Sequence, residues 1–93
     1  MKDKVIFRKF KNEVIAVFPY IFHAGTLNVC FDGCHTSCDY QYIMKHSKPA
    51  TAEDYKYLNR ILYNFYGYDT KIIKRYNHSQ WLKSYYQSKL LTN

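Results

Sequence analysis

The runs Val5-Ile6-Phe7-Arg8-Lys9-Phe10 and Val14-Ile15-Ala16-Val17-Phe18, joined by Lys11-Asn12-Glu13, decide the fold class of this chain. Both are rich in β-branched and aromatic side chains, which suit a pleated, half-buried surface. So short a connection between two such runs predicts an antiparallel hairpin. Pro19 lacks a backbone donor and is expected to end the second strand, leaving Tyr20 to Gly25 as a loop that carries aromatic rings.

Working outward, Leu27, Val29 and Phe31 alternate with Asn28, Cys30 and Asp32, the period of a third strand. A second alternation, Tyr40, Tyr42 and Met44 against Gln41 and Ile43, predicts a fourth. Between them the small polar stretch Asp32-Gly33-Cys34-His35-Thr36-Ser37-Cys38-Asp39 reads as turn-forming throughout. A helix is expected from Thr51, a good N-cap, with Glu53 and Asp54 in its first turn. Tyr55, Leu58, Leu62 and Phe65 recur at spacings of three and four and define its apolar face, widened by Ile61. Gly67 is placed to terminate it. A further strand is predicted over residues 70–76. A terminal helix follows from a Ser79 N-cap, outlined by Trp81, Leu82, Tyr85, Tyr86, Lys89 and Leu90. The order β-β-β-β-α-β-α describes an α+β fold: a mainly antiparallel four- to five-stranded sheet with helices packed on one face. The 93 residues, 47% hydrophobic, suffice for one modest core, with residues 77–93 as a C-terminal helical extension.

Val5 to Lys11, Glu13 to Ala16, Phe18-Pro19, Lys48 to Thr51 with Glu53 and Tyr55, and Gly67-Tyr68-Asp69 with Lys71, Lys74 and Arg75 together resemble a family of short uncharacterised proteins of bacterial mobile elements and phages. The resemblance runs from about Val5 to Arg75. Members carry an Asp-Gly or similar turn where this chain has Lys11-Asn12, and a Gln-His-Gly sequence where it has Cys34-His35-Thr36, so only His35 matches there. The resemblance implies an accessory gene that manipulates the host or supports transfer of the element. It implies no activity.

No apolar run approaches the roughly 18 residues that a membrane-spanning helix needs, and the first residues lead straight into strand-like alternation. A soluble, cytoplasmic protein without a membrane partner is expected, its thiols reduced. Fourteen Lys and Arg against seven Asp and Glu give +7, which favours polyanions or acidic protein surfaces. Eleven of those cations are Lys in a chain also rich in Tyr, Ile and Asn, so coding bias is the competing explanation.

Chemistry-bearing constellations are sparse. Cys30, Cys34, Cys38 and His35, with His23 as a further donor, include enough soft ligands for zinc. Their spacing of four differs from the closely spaced pairs of structural zinc sites. Cys34 beside His35 supplies the residue types of a thiol nucleophile, yet sequence neighbours do not make a dyad. Asp32 and Asp39 are expected to cap their own turn. With three glycines and no phosphate-cradling loop, no cofactor and no catalytic residues are assigned. The basic and aromatic residues carry the expectation of binding. Arg8, Lys9 and Lys11 would join Lys71, Lys74, Arg75, His78, Lys83 and Lys89 if the first hairpin lies near the last strand. Asp32, His35, Asp39 and Trp81 complete the candidate contacts, with Trp81 among the rings expected to be exposed. The expected function is non-enzymatic: binding a host protein or nucleoprotein complex, for example as an inhibitor of a host defence system, with nucleic-acid binding as the alternative and a Cys/His metal or thiol site third.

Overall fold

A computed structural model describes residues 2–24, 27–32 and 35–92, the side chains of 23, 24, 91 and 92 excepted. The hairpin forms as expected. Strand β1 (Asp3–Phe10) pairs antiparallel with β2 (Glu13–Ala24) in the register Phe7↔Ala16 and Lys9↔Val14. Lys11 and Asn12 form a two-residue turn, both with positive φ (49° and 66°), the conformation whose twist matches that of the flanking strands.

Pro19 does not end β2. The strand continues to Ala24, with its register against β3 (Leu27–Phe31) slipping between Phe18 and Phe22. Asn28 supports the slip from inside: its side-chain amide donates to the carbonyls of Pro19 (2.9 Å) and Ile21 (3.3 Å). Backbone acceptors freed by the irregularity are thereby satisfied.

Two further expectations change. His35–Cys38, read as part of a loop, is strand β4, antiparallel to β3 at the sheet's edge. Tyr40–His46, read as a strand, is helix α1. Asp39 caps it, accepting from the Gln41 N–H at 3.0 Å, and Tyr40 and Ile43 are buried three residues apart. Over so short a run, period 2 and period 3.6 both fit; the cap and the burial spacing favour the helix.

Two short strands cover the outer edge of β1. Strand β5 (Lys48–Pro49) pairs antiparallel with Arg8 and Lys9, and β6 (Thr70–Ile72) pairs parallel with Asp3 to Val5. The predicted strand over 70–76 is therefore shorter, and a parallel pair joins an otherwise antiparallel sheet. Between them lies α2 (Ala52–Tyr66). The Thr51 hydroxyl accepts from the Asp54 N–H, and the Asp54 carboxylate accepts from the Thr51 N–H, a reciprocal cap. Gly67 ends the helix at φ 72°, where a side chain would strain the backbone. Helix α3 (His78–Thr92) is capped two residues earlier than expected, by Asn77 rather than Ser79, through the Gln80 N–H at 3.0 Å.

The expectation of helices on one face is overturned. Val5, Phe7, Ala16, Phe18 and Phe31 pack with Leu62, Tyr55 and Leu58 of α2. The alternate residues Ile6, Ile15, Val17 and Cys30 pack with Tyr40 and Ile43 of α1. Tyr76 joins this second cluster and touches Trp81, which ties α3 to the same side. Continuous burial from Val5 to Arg8 and from Ile15 to Phe18 requires cover on both faces, since successive strand residues point oppositely. Phe65, assigned to the α2 core face, is 78% exposed: it shares the arc of Leu58 and Ile61 but stands in the last turn of the helix, past the buried Leu62.

Candidate functional site

At the carboxy-terminal end of β1 the topology gathers cations from three segments. Lys9 stands directly opposite Lys48 in the β1·β5 register. Lys11 occupies the hairpin turn, and Lys45 and His46 form the last turn of α1. Together with Asn12 and Ser47 they line a cleft of about 470 Å³ that has, among the described residues, no acidic residue in its wall. Like charges facing each other across a strand pair cost roughly 0.2–1 kcal/mol, an arrangement a bound anion relieves. Part of the charge has local use: Lys45 and His46 suit the negative end of the α1 dipole. Lys9 lies 3.8 Å from Asp54, and Lys11 Nζ sits 5.2 Å over the Phe10 ring. Tyr42, 52% exposed, borders the cleft, its ring 4.4 Å from that of His46.

Two other concavities differ in chemistry. A groove beside α2 is lined by Glu53 and Asp69 as well as Lys56 and Arg60, so its charges balance and select no sign. A small pocket of about 180 Å³ between α1 and α3 is walled by Asp39, Tyr40, Gln41, Tyr76, His78 and Trp81. Trp81 is already stacked there with His78 (7° between planes) and with Tyr85 (10°).

Comparison with family models, curated proteins and solved structures found no match.

Placed on this framework, the residues expected to bind divide. Lys9 and Lys11 line the cleft. Arg8 does not: it is 8% exposed, and its guanidinium donates from Nε to the Ser47 hydroxyl (2.8 Å) and from Nη2 to the Ser47 (2.7 Å) and Met44 (3.3 Å) carbonyls. It holds the end of α1 against the sheet. Burial lowers its pKa from the ordinary arginine value. The expected union of the hairpin cations with those after Gly67 does not occur. Lys71 pairs with Lys4, five residues before Lys9 along β1, about 16 Å away in an extended strand. Lys71, Lys74 and Arg75 are exposed there, as is Lys83 on α3. Lys89 Nζ lies over the Tyr85 ring at 5.2 Å.

Asp32 is exposed after β3, and Asp39 is occupied as a cap. The His35 Nε2 meets the Tyr68 hydroxyl at 3.0 Å within a cluster of Phe31 and Tyr66 rings. Trp81 is half-buried against Phe22, correcting its expected exposure, and His78 stacks on it. The expectation of free thiols fails for two cysteines: Cys30 and Cys38 form a disulfide, with Cα atoms 6.0 Å apart. Cys30 faces Thr36 in the β3·β4 register, so Cys38, two residues on, shares its face. Reading residues 32–39 as a loop hid this adjacency. The zinc alternative loses both to each other in this state; Cys34 and the His23 side chain lie outside the described residues.

Lys45, His46 and Lys48 are the site residues that sequence reasoning missed. Their signal was the Asp39 cap with Ser47-Lys48-Pro49 as the stop, which would have placed two cations at a helix end beside the hairpin.

Proposed function

We propose that the protein is a non-enzymatic module that binds the phosphate backbone of nucleic acid through the cleft between the β1–β2 turn, the end of α1 and β5. The observation that carries the reading is the convergence of Lys9, Lys11, Lys45 and Lys48 on one cleft with no carboxylate in its wall among the described residues. Sequence-independent contacts of this kind release counterions, so affinity depends steeply on salt. With up to four phosphates neutralised, a mobility-shift or anisotropy titration should lose roughly 100-fold in affinity between about 50 and 200 mM salt. Affinity that is flat across that range contradicts the reading. An accessory role in a mobile element, which the resemblance of Val5 to Arg75 implies, accords with it.

A second reading, binding of a host protein such as a defence component, is favoured by exposed rings on α2. Tyr57, Tyr63 and Phe65 on α2 are 74%, 66% and 78% exposed, on the side of the sheet away from α1. Large exposed apolar groups anchor protein interfaces. A complex recovered from host lysate after nuclease treatment, and lost on Phe65→Ser, would establish this reading; a complex that nuclease dissolves supports the first.

A further inference from the structure

The two strands that cover the outer edge of β1 do not meet. Strand β5 ends opposite Arg8 and β6 opposite Val5, which leaves a notch at Ile6 and Phe7. The notch is a cavity of about 380 Å³ with walls from Phe7, Pro49, Ala50, Tyr55 and Ile73. Ile72, 42% exposed, adds apolar surface to its wall. The size is at the lower end of small-molecule sites, roughly 300–1,000 Å³, which are also mainly apolar with a few fixed polar groups.

The charged residues lining it are both cations, Arg8 and Lys74. Arg8 is more than nine-tenths buried, and among the described residues its side chain donates to neutral acceptors on Ser47 and Met44, from Nε and Nη2. Its Nη1, which carries two of the five guanidinium donors, takes part in none of these bonds. Nη1 is not among the buried side-chain atoms without a partner, so its donors stay accessible, and an anion reaching them gains charge-assisted hydrogen bonds to a guanidinium whose other partners among the described residues are neutral.

We propose that this notch binds a small amphiphilic carboxylate, its apolar body lying between β5 and β6 and its carboxylate pairing with Arg8 and Lys74. A carboxylate matches the planar guanidinium fork and gains charge-assisted hydrogen bonds. The apolar wall excludes a fully hydrated ion. The inference uses neither the lysine cleft nor the nucleic-acid reading, and either can fail alone.

The test is a titration of the intact protein with octanoate, octanol and octyltrimethylammonium, followed by the NMR signals of Ala50, Ala52 and Ile72. Octanoate should give saturable shifts at these residues, with octanol roughly tenfold weaker because it lacks the charge-assisted bonds and the ammonium without effect. Lys74→Met should weaken octanoate several-fold and leave octanol unchanged. It is preferred to an Arg8 variant because Arg8 also holds α1. Ala52→Trp, made at an exposed wall position, should block octanoate while preserving the remaining spectrum. Octanol binding as tightly as octanoate, shifts centred on Lys45 and Lys48 instead, or no saturable shift at millimolar octanoate would each overturn the proposal.

Discussion

Asn28 has no accessible surface, and its amide nitrogen ties together the part of β2 where regular pairing is lost. Replacing it with Ala would leave the buried Pro19 carbonyl and the part-buried Ile21 carbonyl without that donor, the buried loss costing about 1–3 kcal/mol. Asn28→Ala should therefore destabilise the protein by about 2 kcal/mol or more, read as a lower urea midpoint with an unchanged slope. Asp54 supplies a pH-dependent counterpart. Its carboxyl is held below the usual carboxylate range, first by the Thr51 backbone N–H, with further help from the Thr51 side chain and Lys9. A depressed folded-state pKa stabilises above the unfolded value, near 3.9, and that stability is lost as pH falls through the folded value. Wild type should melt above Asp54→Asn at about pH 6, and the difference should shrink toward zero in acid below the ordinary Asp value of roughly 3.9.

Elements with redundant local signals could be read directly from the residues. Helix α2 had a cap, an acidic first turn, an apolar periodicity and a terminal glycine, all in agreement; the hairpin had two long runs around a short turn. Helix α1 and strand β4 had no such redundancy. Seven residues of α1 fit two periods, and the polar letters of His35–Cys38 concealed an edge strand held by its neighbour. Covalent closure contributes to that hold. The Cys30–Cys38 bond encloses so short a loop that chain-entropy reasoning assigns it about 2–3 kcal/mol. Reduction with dithiothreitol should lower unfolding stability by about that amount, with amide exchange rising first in β4 and at the Asp39 cap of α1. Such bonds persist in oxidising surroundings and open in a reducing cytosol. Equal stability with and without reductant would show that the β3·β4 pair holds without it.

Across the whole molecule the positive charge is divided. One group surrounds the cleft; another, Lys71, Lys74, Arg75, Lys83 and Lys89, runs from β6 through the segment after it to α3, and Lys56 and Arg60 stand apart on α2. Composition could give the sign of the total but not this division, which depends on β5 and β6 occupying opposite ends of the β1 edge. The division separates a binding site from a genomic excess of lysine, because a composition effect would weigh each lysine alike. The direct measurement compares two triple variants, each with three Lys→Gln changes and so each lowered from +7 to +4. Lys11, Lys45 and Lys48 are replaced in one, and Lys71, Lys83 and Lys89 in the other. The cleft variant should lose most of its nucleic-acid affinity, with a salt slope smaller by about 3, while the other stays within a few-fold of wild type. Equal loss in both variants would contradict the cleft as the site of binding.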